Sequence, residues 1–156
     1  MTTSHELYDR IVEEERSLVL DGFTLQDAWE LGSRLRAAAV ARSLPLVIEV
    51  CVGQRVVFRA ALEGSSADND GWLERKTAVV LRYGRSSLGV GELFRLKGQD
   101  FDTHSRLDAG RYAAHGGVFP LTVRGVGVVG SVGVSGLPQL EDHRMVVAAI
   151  RAFLGR

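Results

Sequence analysis

Residues 125–136 read Gly-Val-Gly-Val-Val-Gly-Ser-Val-Gly-Val-Ser-Gly, and no other stretch limits the fold so tightly. Gly125, Gly127 and Gly130 have the spacing of a dinucleotide-binding loop. That motif needs a strand before the glycines and a helix starting within them, so that pyrophosphate meets the helix N-terminus. Here the glycines lie inside a strand pattern that continues past them. Val126, Val128, Val132 and Val134 share one parity, and Gly125, Gly127, Ser131, Gly133 and Ser135 share the other. Only Val129 and Gly130 break the order. Successive strand residues point to opposite faces. One face is therefore a valine wall, and the other is nearly bare backbone that a helix, a second backbone or a ligand can approach closely.

Bulk properties narrow the function classes. A chain of 156 residues is expected to form one domain over 1–156, with a real core and no need of covalent staples. Formal net charge is zero and no basic patch carries interleaved aromatics, which argues against a nucleic-acid partner. The lone Cys51 rules out an internal disulfide framework, and no Cys/His spacing matches a zinc site. The first residues hold neither a basic segment nor an apolar run, and no stretch approaches the roughly 20 apolar residues of a membrane span. A soluble cytoplasmic protein without a membrane partner is the expectation. Near-zero net charge also permits self-association.

Residues 1–15 read as an N-terminal helical extension, helical over 4–15, with Leu7, Tyr8, Ile11 and Val12 in one stripe. Glu13, Glu14 and Glu15 fall outside that stripe and read as a solvated face. Ser17–Leu20 suits a short edge strand. Thr24, with Asp27 three residues on, marks a helix start, and the helix runs to about Arg42. Gly32 and the alanines make one face of this helix thin enough to sit on the bare face of the glycine strand. Pro45–Val52 and Arg55–Ala60 read as a hairpin turning at Gly53-Gln54. Cys51 reads as a small sheet residue. A helix carrying Trp72 and Tyr83 follows, and Ser86/Ser87 begin another that ends near Gly98. Phe119–Val123 is a strand, Arg124-Gly125 a turn, and Pro138 opens the last helix. Interleaved helices and hairpins indicate an antiparallel sheet covered by helices.

Three further segments carry a family resemblance: Gly116-Gly117-Val118-Phe119-Pro120-Leu121, Gly130-Ser131-Val132-Gly133-Val134-Ser135-Gly136, and Asp142 on the closing helix. Together they resemble the haem-degrading-domain family, which includes haem-binding sensor proteins and protein G of glycolate operons. Lys76-Thr77-Ala78 matches a further family feature. Asn69-Asp70-x-Trp72, Arg85-Ser86-Ser87, Tyr112-Ala113-Ala114-His115 and Gly136-Leu137-Pro138 with Asp142-His143 are similar to an uncharacterised cytoplasmic branch of it. The resemblance covers about residues 16–155. It implies an α/β (α+β), profilin-like fold: a five-stranded antiparallel sheet flanked by helices. It also implies a homo-oligomer, and haem as a possible ligand.

Candidate site residues follow from chemistry. His115, before the flexible pair Gly116 and Gly117, can ligate iron or accept a proton near neutral pH. Its alternative is a loop-capping role. His143 falls on the inward face of the last helix, as a satisfied core histidine or as a pocket neighbour of Ser135-Gly136. Lys76 shares a helix face with Trp72, either solvated or facing a carboxylate or haem propionate. Arg85, Ser86 and Ser87 could accept an anion at a helix start, or serve as a simple cap. Enzyme templates fail: Leu137 stands where a serine-hydrolase elbow needs its last glycine, and no Walker loop or His-Glu-x-x-His is present. Three readings remain open. They are a small-ligand module holding haem or another tetrapyrrole, an oligomeric assembly protein, and a haem-degrading enzyme.

Overall fold

The computed structural model describes residues 3–156. In chain order the elements are α1 (Ser4–Ser17), α2 (Leu25–Ala41), β1 (Val47–Val52), β2 (Arg55–Ala61), α3 (Ala67–Tyr83), α4 (Ser87–Leu96), α5 (Phe101–His104), β3 (Val118–Val123), β4 (Gly127–Ser135) and α6 (Gln139–Leu154). No helix among the described residues is long and apolar enough to cross a membrane.

Local chemistry explains several boundaries. Thr24 Oγ1 accepts from Asp27 N at 3.0 Å while Asp27 Oδ2 accepts from Thr24 N at 2.8 Å, a capping box that starts α2. Thr3 and Glu6 start α1 in the same way. Ser86 caps α4 through Gly89 N. Gly53, with φ at +57°, lies in the turn between β1 and β2.

The sheet is antiparallel in the order β2-β1-β4-β3. It has four strands, not the five that the resemblance implies. α1 runs on to Ser17 and so takes the start of the expected edge strand. What remains is one parallel bridge, with Leu20 N donating to Thr122 O and Arg124 N to Leu20 O, both at 2.8 Å.

β4 follows the expected alternation only beyond a bulge, so the single valine wall is not formed. Val132 and Val134 are fully buried on the side of α6, in the main core with Ile48, Val50, Phe119 and Ile150. Val129 is an extra residue in the pairing of β4 with β3, between Leu121↔Gly130 and Thr122↔Val128, which is why the parity breaks there. The extra residue reverses the faces: Val128 pairs with Thr122 and lies opposite the face of Val132 and Val134, Val126 lies in the turn before β4, and both are exposed.

The bare face of β4 meets α3, not α2 as its thin face suggests. At Gly133 an added Cβ would lie 2.5 Å from Val118 Cγ2 and 3.1 Å from Leu73 Cδ1, so the absent side chain makes room for α3 and β3. Gly32 of α2 instead sits under the ring of Phe58, whose Cγ lies 2.4 Å from where a Cβ would stand.

Candidate functional site

Three elements and a loop converge at the end of the sheet: α3 supplies Lys76, the first turn of α6 supplies Asp142, and β4 and the loop before β3 supply backbone carbonyls. Lys76 Nζ donates to Gly116 O at 3.0 Å, Val134 O at 2.9 Å and Asp142 Oδ2 at 3.3 Å. An ammonium has three N–H donors, and these three acceptors use all of them. Asp142 Oδ1 accepts from Leu137 N at 3.1 Å. Lys76 and Asp142 are both buried. Burial pushes the Asp142 carboxyl up to about 6 against the pull of Lys76 and the Leu137 amide, and burial pushes the Lys76 ammonium down against the pull of Asp142.

The glycine pair serves this knot. Gly117 has φ at +139°, a conformation that glycine alone adopts readily, and an added Cβ would come 2.3 Å from Lys76 Nζ. Gly116 N donates to Gln139 Oε1 at 2.9 Å. The close approach expected at Gly116-Gly117 is thus made by the protein's own lysine and glutamine. Gln139 had no signal in the sequence, because it lies 23 positions from its partner.

His115 lies beside the knot and is exposed. Its ring stands edge-on to Trp72 with centroids 5.2 Å apart, and the Arg75 guanidinium covers the Trp72 ring at 4.1 Å. A cleft of about 260 Å³ opens here, lined by Asn69, Trp72, Lys76, His115, Gln139 and Asp142 among others. A second cleft, of about 160 Å³, shares His115 and adds Arg95 and Asp102. Partial burial pushes the imidazole pKa below its ordinary value, with Lys76, Arg95 and Arg75 adding to the effect and Asp102 opposing it. The imidazole is therefore neutral at pH 7 and offers a lone pair.

The structure does not bring the other candidates to this cleft. Ser87 is buried, accepting from Val118 N at 3.1 Å and donating to Val118 O at 3.3 Å. His143 is buried against α1, its Nε2 2.7 Å from Glu14 Oε1. Glu14 is itself buried, and Glu15 reaches the start of α4, so the acidic run of α1 is not a solvated face. Glu15 Oε2 accepts from Ser86 N at 2.8 Å and Ser86 Oγ at 2.7 Å, and Oε1 accepts from Arg85 Nη2 at 2.8 Å. Ser86 serves as the simple cap of α4, and the position open to an anion at this helix start is taken by the chain's own Glu15.

The family described as "Haem degrading protein HbpS-like" matches residues 23–151. This protein belongs to that family. A UPF0303 protein of Streptomyces coelicolor is 55% identical over 143 residues, which are 92% of this chain and 90% of that protein. The crystal structure of Ybr137w protein superposes with a TM-score of 0.88 at 30% identity, covering 97% of this chain and 91% of that one. The fold is shared as well with a PduOC:heme complex, at a TM-score of 0.69 and 16% identity over 84% of this chain and 94% of that one. α1 precedes the residues that the family match covers, although Glu14 and Glu15 tie it to α6 and α4.

Proposed function

We propose that this member of the HbpS-like family is a ligand-binding module that takes a flat, carboxylate-bearing ligand at His115, with haem the first candidate. The observation that carries this reading is His115 itself: an exposed, neutral imidazole between two clefts, edge-on to Trp72. The donor set suits haem, whose macrocycle supplies most iron ligands and asks the protein for an axial one. His115 would supply that nitrogen, Trp72 would flank the macrocycle, and Arg75 and Arg95 would serve its carboxylates. Lys76 is the weaker candidate for that last role, because its three donors already meet Gly116 O, Val134 O and Asp142 Oδ2. When bound, haem would supply redox-active iron; the chain's own part is to bind and orient it.

The test is a hemin titration followed by visible absorbance, with His115→Ala alongside. Saturation at a fixed ratio that is lost in the variant supports the reading. An equal shift in both proteins removes His115 as the ligand, and no saturable shift removes haem.

A second reading, homo-oligomeric assembly, is favoured by a separate surface. Leu25, Trp29 and Val40 of α2 are 58%, 61% and 50% exposed, and the neighbouring β2 is an edge strand of the sheet. Light scattering on wild type and Trp29→Glu tests it: a particle larger than a monomer that dissociates in the variant supports assembly through this face.

A further inference from the structure

A larger cleft, of about 600 Å³, opens on a different face of α3 and shares no lining residue with the His115 clefts. That volume is in the range of small-molecule sites. One wall is α3, where Glu74, Thr77, Ala78, Leu81 and Arg82 recur at three- and four-residue spacing along one helix face. The floor is the outer face of the β1–β2 hairpin, and Arg111 and Tyr112 close one end.

The floor is polar but internally matched. Glu49 stands opposite Arg59 in the strand register, and Arg59 Nη1 donates to Glu49 Oε2 at 2.5 Å. Arg59 Nη2 also reaches Asp70 Oδ1 at 3.0 Å. The Cys51 thiol donates to Glu49 Oε1 at 3.3 Å. Burial, together with the Glu49 charge, pushes this thiol up to about 12, so it keeps its proton and is no nucleophile. The Arg59 guanidinium balances the charge of the buried Glu49, which weakens its repulsion of an incoming anion.

The end wall differs. The guanidinium carbons of Arg82 and Arg111 each lie 5.7 Å from the centroid of the Tyr112 ring. Neither arginine makes an ion pair among the described residues, whereas Arg59, Arg85 and Arg95 all do. Two cations on one aromatic ring, with Glu74 the one lining carboxylate outside an ion pair among the described residues, leave a surplus of unused N–H donors. Guanidinium groups pair with carboxylate or phosphate through such donors. Val56, Ala78, Leu81 and the Tyr112 ring add apolar surface beside them.

From this arrangement we infer a second ligand site, for an organic oxyanion with a flat apolar body. The oxyanion pairs with Arg82 and Arg111, and the body lies against Tyr112 and Leu81. The site is independent of His115 and of the proposed haem reading.

Isothermal titration of the full chain with phenyl phosphate, 2-naphthoate and inorganic phosphate tests this. Either aromatic anion, or both, should saturate at one per chain, and the arm that binds identifies the oxyanion. Inorganic phosphate, which lacks the body, should bind ~10-fold or more weakly, as should the aromatic anion to Arg82→Gln or Arg111→Gln, since one charge-assisted hydrogen bond is a tenfold effect or larger. His115→Ala should bind as wild type does. Both arginines are exposed, so the glutamine variants should keep the wild-type melting temperature. The inference is overturned if neither aromatic anion saturates, if both glutamine variants bind undiminished, or if His115→Ala abolishes binding.

Discussion

Glu14 and His143 lie 129 positions apart and meet in a buried contact, His143 Nε2 to Glu14 Oε1, at 2.7 Å. This pair fastens α1 to α6, and Glu15 fastens the same helix to the start of α4. Glu14→Ala leaves a buried ring nitrogen without a partner, at a cost of about 1–3 kcal/mol. Glu14→Gln retains an acceptor oxygen and should lose less. Urea midpoints at unchanged slope measure both, and hydrogen exchange should show α1 amides opening first in the alanine variant. Equal midpoints for the two variants would remove the hydrogen bond as the fastener.

Lys76→Met strands the Asp142 carboxylate and leaves the carbonyls of Gly116 and Val134 without their donor. Breaking one side of a buried pair costs roughly 3–5 kcal/mol. The loss should depend on pH. In the wild type, Asp142 is raised from 3.8 to about 6, so its stabilising contribution is complete below 3.8 and disappears as pH rises through 6. Without the lysine that carboxyl titrates higher still, and protonation discharges it. The variant's deficit should therefore be largest at pH 8 and shrink towards pH 5. A deficit that does not vary with pH would mean that Asp142 is not the stranded group.

Gly32→Ala sets two effects against each other. Alanine favours a helix interior over glycine by about 1 kcal/mol. At this position its Cβ meets the Phe58 ring at 2.4 Å, and overpacking of that kind costs about 1–3 kcal/mol. The single variant should be less stable than wild type. In a Phe58→Leu background the same change should become neutral or stabilising, which a double-mutant cycle by thermal melts resolves.

His115 holds its proton less tightly than a free imidazole, chiefly through partial burial. As pH falls below 6.5, the unfolded chain takes up the proton first. The contribution of this group is therefore present above 6.5 and lost as pH falls through the lowered folded value. Melting temperatures of wild type and His115→Asn, compared from pH 7.5 to pH 5, should show wild type losing ground. Ligand binding through the neutral imidazole should persist at pH 6.5 and fail only below it.

Features decided within a few residues were legible in the chain. The Thr24–Asp27 capping box and the β1–β2 hairpin turn stand where the pattern puts them, whereas the irregularity at Val129 is a bulge that turns Val128 away from the face of Val132 and Val134. So does Cys51 as a buried sheet residue. The Ser17–Leu20 strand was misread because Ser17 extends α1, and one bridge at Leu20 takes the place of a strand.

The sequence by itself determined most of the helices and strands and where several of them start and turn, because capping and turn geometry depend on neighbours in the chain. The tertiary structure alone decided which helix covers the bare face of β4, and that Lys76 meets Asp142 across 66 positions. It also decided that Glu14 is buried against His143 and that Glu15 fills the anion-accepting start of α4. A charged side chain reads the same in sequence whether it is solvated or paired. Its partner, and the loss of water that makes the pairing matter, exist only once distant segments pack together.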